Sequence, residues 1–169
     1  MIPLWYHSGG AYFPRVSIET LGNDEYRRVW DRFRTEFAFR PGTSRFEWPG
    51  IDEPAGSMTW SLTALDDDPG YLLLDRMAAV IQRGLASCAG ELYALDWQHV
   101  SYRFPTSAKD WPLSPFPDGD YYAYLTPDFR LGTFGHPWEY TVCAFGDALV
   151  TAISAEVTEV LGEPVRRSA

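Results

Sequence analysis

At 169 residues, with 46% hydrophobic, 22% charged and 16% aromatic side chains, the chain has the make-up of one globular domain with enough apolar surface for a core, and it is too apolar to be disordered. Its 23 acidic residues against 14 basic ones give a formal charge of −9, which counts against nucleic acid and against anionic membrane surfaces, both of which require a basic face. Cys88 and Cys143 lie in apolar periodic stretches with no CxxC spacing. They read as reduced, buried small hydrophobes rather than a disulfide or a zinc site.

The start, Met1-Ile2-Pro3-Leu4-Trp5-Tyr6-His7, lacks a basic n-region and a long apolar h-region, so no signal peptide is expected. No apolar run approaches the roughly 18 residues of a membrane span, and the cytoplasm is the expected location. Residues 1–20 read as an irregular N-terminal extension, with Tyr12, Phe13, Val16 and Ile18 as one irregular strand after a flexible Gly9-Gly10 joint.

A helix then starts with Asn23 as its N-cap and Asp24 and Glu25 in its first turn, where the dipole favours acids. Tyr26, Val29, Trp30, Phe33 and Phe37 recur at helical spacing as one apolar stripe, and Pro41-Gly42 ends the element. Residues 41–56 are rich in Pro, Gly and Ser and predict a long loop, with Phe46 and Trp48 supplying packing. A short strand follows over residues 57–62. In Asp66-Asp67-Asp68-Pro69, Asp68 reads as an N-cap with Pro69 at the first helical position, a better fit than a metal site. Leu73, Met77, Val80, Ile81 and Cys88 trace a second amphipathic helix closed by Gly90.

From Glu91 the period becomes two, with Tyr93, Leu95 and Trp97 on one face and Leu92, Ala94 and Asp96 on the other. Residues 101–104 continue as strand and residues 105–119 form a Pro-rich loop. Residues 120–126 and 130–134 make a hairpin around Thr126-Pro127-Asp128. Residues 140–145 form another strand, and Asp147 caps a last helix carrying Leu149, Ile153, Val157, Val160 and Leu161. Consecutive strands on short turns imply antiparallel pairing. The expected architecture is α+β: a mainly antiparallel sheet of about five or six strands, with about three helices on one face.

Candidate chemistry concentrates in Asp96-Trp97-Gln98-His99 and Gly135-His136-Pro137-Trp138-Glu139. On a straight strand Asp96 and His99 face opposite sides, so they form an acid/base dyad only if the chain bends at Gln98 or a bulge intervenes. Otherwise Asp96 is a structural carboxylate and His99 a half-buried ring. His136 precedes Pro137, which holds it extended. A histidine on such a corner suits ligand contact or proton transfer, with Glu139 to orient it, but a packed corner explains the same residues. Trp97, Trp111, Trp138, Tyr122 and Tyr124 are candidates to wall a cleft around a ring-shaped ligand, although core packing accounts for most of them. Asp118-Gly119-Asp120 is explained by a turn. A site of His99, His136 and either Asp96 or Glu139 lacks the usual H-x-D/E anchor, so no metal is assigned. No G-x-S-x-G elbow or phosphate loop occurs, Lys109 is the only lysine, and no motif names a cofactor.

The run Tyr93-Ala94-Leu95-Asp96-Trp97-Gln98-His99, then Tyr102-x-Phe104, Pro117-Asp118-Gly119-Asp120-Tyr121-Tyr122, Gly132-Thr133-Phe134-Gly135-His136-Pro137-Trp138-Glu139 and Phe145-Gly146, resembles the bacterial family catalogued as domain of unknown function 2716. Trp30, Phe33, Phe37-x-Phe39-x-Pro41 and Pro49-Gly50-Ile51 are similar to it as well. The resemblance covers residues 20–165 and implies a soluble bacterial protein; it assigns no chemistry.

Three readings of function stay open. One is a small-molecule-binding protein or acid/base enzyme, with His99 and His136 as proton carriers, Asp96 and Glu139 as orienting carboxylates, and both rings reaching one aromatic-walled pocket. The second is an acidic, antidote-like interaction module that occupies a basic partner. The third is a metal-dependent enzyme.

Overall fold

The computed structural model describes residues 17–169. Most of the expected N-terminal extension, including Tyr12, Phe13 and Val16, lies outside the described residues. Its end, Glu19–Thr20, forms strand β1.

The order continues as helix α1 (Asn23–Glu36), β2 (Met58–Ser61), helix α2 (Leu72–Cys88), β3 (Glu91–Asp96), β4 (Tyr102–Pro105), β5 (Tyr122–Leu125), β6 (Gly132–His136), β7 (Thr141–Phe145), helix α3 (Asp147–Leu161) and β8 (Arg166–Arg167). The strands form one sheet in the order β1-β4-β3-β5-β6-β7-β2-β8, and every pairing is antiparallel. The fold is α+β with three helices, as expected, but the sheet has eight strands rather than five or six. The two unexpected strands, β1 and β8, occupy the sheet edges and are two residues long. Two residues carry no alternation for a period to reveal.

The sheet is covered on both faces, not one. Period-two alternation sends Leu92 and Ala94 of β3, Tyr124 of β5, and Val142 and Ala144 of β7 into one layer. There they meet Met77, Val80, Ile81 and Leu85 of α2 and Leu149, Ile153 and Val157 of α3. Their neighbours Leu95, Ala123, Leu125, Phe134, Cys143 and Phe145 face the other way and meet Val29, Trp30 and Phe33 of α1 with Phe37, Phe39 and Ile51. The stripe on α1 was legible in the sequence, whereas its side of the sheet depends on strand register.

Within the first layer, α2 and α3 touch through Gly84, where an added Cβ would stand 2.1 Å from Ile153 Cγ2. Both carboxylate oxygens of Asp68 accept backbone N–H bonds, from Leu73 and Leu74 at 3.0 and 2.9 Å. Asp68 thus satisfies two N–H groups in the first turn of α2, but it is not the N-cap residue expected: Tyr71 holds that position and the helix begins at Leu72 rather than at Pro69. The loop after α1 is tied back on itself by Arg40 N–H to Gly50 C=O at 2.7 Å and Asp52 N–H to Phe37 C=O at 2.7 Å. This fold-back buries Ile51 and Phe39 in the α1 layer and lays Trp48 and Gly50 across the end of β6. Both cysteines are free thiols, and burial pushes the Cys143 thiol up to about 12. Among the described residues no helix is long and apolar enough to cross a membrane.

Candidate functional site

Asp96 ends β3, and the chain then turns sharply. Gln98 takes a left-handed conformation, φ 64°, uncommon for a residue with a side chain. The turn is closed by His99 N–H to Asp96 C=O at 3.2 Å. This bend overcomes the opposite-side geometry of a straight strand and swings His99 back over Asp96. His99 Nδ1 lies 3.0 Å from Asp96 Oδ1 and 3.2 Å from Asp120 Oδ2. Carboxylates only accept, so Nδ1 carries the proton and Nε2 has the free lone pair. The hydrogen bond to Asp96, reinforced by the charges of Asp96 and Asp120, raises the imidazole above its ordinary value. Burial raises Asp120, and the nearby charge of Asp96 adds to it.

The sequence marks Asp120 only as the point where a turn enters the strand over residues 120–126. It joins the site because Asp96 pairs with Tyr122 in the β3–β5 register, which brings the residue two before Tyr122 to the end of β3. Ser101 steadies the arrangement. Its hydroxyl accepts the Asp96 N–H at 3.3 Å and the Trp30 indole N–H at 3.2 Å, and its carbonyl accepts Leu21 N–H at 2.9 Å.

His99 stands on the wall of a cavity of about 580 Å³ formed by Thr20, Leu21, Asn23, Tyr26, Gln98, Val100 and Ser101. Apart from the imidazole, the polar groups here are neutral hydroxyls and amides. Tyr26, expected only as part of the α1 stripe, feels the charges of both aspartates, and burial foremost raises its phenol. None of Trp97, Trp111, Trp138, Tyr122 or Tyr124 lines this cavity.

The predicted aromatic wall does not form, because the pleat divides its members. Trp97 and Trp138 pack around Tyr121 on the α1 side, at ring separations of 5.6 and 5.2 Å. Trp111 packs on Phe104 and Tyr124 in the opposite layer. There the Tyr124 hydroxyl donates to the Leu113 carbonyl, which pins the Pro-rich loop. Tyr122 is half-buried and pairs across from Asp96.

His136 is also placed differently from expectation. It is the last residue of β6, not a projecting corner, and it is 1% exposed. It shares the parity of Phe134, so its ring enters the α1-side layer against Tyr121 and Trp48. His99, with a side chain 64% exposed, is open to solvent. The two imidazoles therefore share no solvent-open hollow. His136 Nδ1 accepts the Glu139 backbone N–H at 3.0 Å, which leaves the proton on Nε2, a buried donor without a partner among the described residues. Burial dominates and lowers this ring to about 4. The Glu139 carboxylate does not orient His136. It pairs with Arg166 at 2.5 Å, and Arg166 also binds Glu53 at 2.8 Å in a mostly buried ion network. Burial alone would lower the Arg166 guanidinium, but its hydrogen bonds to Glu53 and Glu139 outweigh that and raise it.

Of the four candidate catalytic residues, the fold thus brings Asp96 and His99 together, adds Asp120, and assigns His136 and Glu139 to buried structure. Asp96, His99 and Asp120 each offer a ligand atom, and these atoms all lie within 4.8 Å of one another.

An antiparallel α+β sheet layered by helices on both faces, with an aspartate-clamped histidine at one turn, is the class this chain defines. Residues 20–150 match the family model described as "Protein of unknown function (DUF2716)", and the chain belongs to that family. It is similar to the "Uncharacterized protein YxiI" of Bacillus subtilis (strain 168), 44% identical over 69 residues, which is 37% of this chain and 43% of that protein. The match thus spans less than half of the relative's length. No solved structure matches the chain.

Proposed function

We propose that the cleft beside the β3–β4 turn is the working site and that it binds a small polar molecule against His99. One observation carries this reading: His99 is fixed through Nδ1 by two carboxylates, while its Nε2 makes no hydrogen bond among the described residues and the ring lines an open cavity. An imidazole so held offers a lone pair of fixed direction, able to accept a hydrogen bond or a proton. Asn23, Tyr26 and Gln98 add neutral donors and acceptors, and among the described residues no Arg or Lys lines the cavity, which disfavours a phosphate or carboxylate ligand.

A fragment screen followed by backbone NMR tests this. Perturbed amides are expected at residues 20–26 and 98–101, and they should vanish in His99→Ala. Perturbations confined elsewhere and indifferent to His99→Ala would overturn the reading.

A second reading, an interaction module, draws support from Phe46, which is fully exposed, and Trp138, which is 40% exposed. A salt-sensitive pull-down of a basic partner that Phe46→Ala and Trp138→Ala abolish would favour it.

A further inference from the structure

We infer that Asp96, His99 and Asp120 form a binding site for one divalent transition-metal ion of the zinc or manganese kind, held by Asp96 Oδ1, His99 Nδ1 and Asp120 Oδ2. The inference deepens the cleft reading and rests on it for one point only, that the ion's open positions serve a ligand in that cleft.

Distance is the first support. Metal–ligand bonds of about 2.0–2.2 Å put neighbouring ligands of one ion about 3 Å apart. Nδ1 lies 3.0 and 3.2 Å from the two carboxylate oxygens. The three ligand atoms all lie within 4.8 Å of one another, so an ion on their open side would meet all of them by drawing the two carboxylate oxygens together.

Charge is the second. Asp96 and Asp120 have side chains only 15% exposed, and among the described residues neither is paired with Lys or Arg. Two partly desolvated carboxylates drawn to one point repel each other. The imidazolium supplies at most one compensating charge, whereas a divalent ion supplies two.

Construction is the third. The donors come from three segments: the end of β3, the following turn and the entry to β5. Each is oriented by a further contact. Asp120 Oδ1 accepts the Tyr121 N–H at 2.8 Å and leaves Oδ2 for the ion. The Asp96 backbone is tied to Ser101 Oγ, and the left-handed Gln98 aims His99. Outer contacts of this kind fix ligand geometry in metal sites. The nitrogen separates this group from a plain acidic cluster such as Asp66-Asp67-Asp68, where the oxygens of Asp68 already accept N–H groups of α2. The imidazole favours zinc over magnesium or calcium, and the two carboxylates admit manganese. Three protein ligands leave coordination positions open, the arrangement of reactive rather than purely structural zinc.

Binding changes the imidazole. Nδ1 gives its proton to solvent and donates its lone pair to the ion, while Nε2 takes up a proton from solvent. The neutral ring passes from the Nδ1–H to the Nε2–H tautomer, so with the ion bound Nε2 faces the cleft as a donor and the lone pair of the metal-free ring is no longer offered.

The test uses the full chain stripped with EDTA. Calorimetric titration with zinc chloride, manganese chloride and magnesium chloride is read beside long-range proton–nitrogen spectra of the histidines during zinc addition. One zinc or manganese ion per chain is expected, with magnesium much weaker, and zinc should shift His99 to the Nε2–H form. His99→Gln and Asp120→Asn should each weaken zinc by at least roughly 10- to 100-fold, the loss caused by removing even an outer partner of a ligand. Asp67→Asn should leave it unchanged. His99 is exposed, so His99→Gln keeps the test valid if Asp120→Asn unfolds; thermal midpoints without metal report folding. No zinc or manganese binding, or binding indifferent to both variants, overturns the inference. If fragments still map to the cleft in that case, the cleft reading survives. If zinc binds and no fragment maps there, the cleft reading fails and the metal site stands.

Discussion

His136 and Glu139 are joined in the reverse sense to a catalytic pair: the Glu139 backbone N–H donates to His136 Nδ1 at 3.0 Å, and the glutamate side chain turns away to Arg166. The imidazole is held neutral, because burial, with Arg166 acting in the same direction, outweighs Glu139, which favours the charged form. An unfolded chain takes up this proton near pH 6.5, whereas the folded one does so only near 4. The unfolded state binds more protons between those values, so stability falls as pH drops from about 6.5 towards 4. The contribution is on the order of 3 kcal/mol. Urea midpoints between pH 7 and 4 should drop less in His136→Gln than in the parent protein; parallel slopes would contradict the assignment.

Arg166 is the shared cationic partner of Glu53 and Glu139, whose side chains are 7% and 11% exposed. Arg166→Leu should cost about 2–4 kcal/mol in thermal unfolding, the lower end reflecting the partial exposure of Arg166, because it strands two carboxylates. Converting both glutamates to glutamine in the same background should restore much of that loss.

Gly84 is required by contact rather than by backbone angle. Gly84→Ala improves helix propensity by up to about 1 kcal/mol, yet its methyl would strike Ile153 Cγ2. A net loss of roughly 1–2 kcal/mol is expected. Removing the obstacle with Ile153→Ala should make the same substitution neutral or favourable, as denaturant titration of the four variants would show.

Ser101 links α1 to the His99 turn. Ser101→Ala leaves the Trp30 indole N–H and the Asp96 N–H without their acceptor, at a cost of about 1–3 kcal/mol. Faster hydrogen exchange at the Asp96 amide should accompany the loss; unchanged exchange there would contradict the clamp.

The six central strands were legible because aromatic and other apolar residues recur in them over short runs bounded by turn residues, and the helices because their stripes are long. The side of the sheet each helix covers was not, since it depends on whether Leu95 or Ala94 faces α1, a matter of register. The dyad at Asp96 and His99 required a bend at Gln98, and glutamine, unlike glycine or asparagine, does not advertise a left-handed angle. Asp120 was hidden for the same reason as the helix faces: only the Asp96–Tyr122 pairing brings it near. His136 looked exposed because the path of residues 41–56 could not be read. That loop, through Trp48 and Gly50, is what covers the ring.

The protonation pattern of the two rings tests the central claim most directly. Long-range proton–nitrogen spectra of metal-free protein, recorded above the observed titration of both rings, should show opposite tautomers: His99 protonated on Nδ1, clamped by Asp96 and Asp120, and His136 protonated on Nε2. A His99 ring carrying its proton on Nε2 in the metal-free protein would contradict the clamp and, with it, the placement of the working site at this turn.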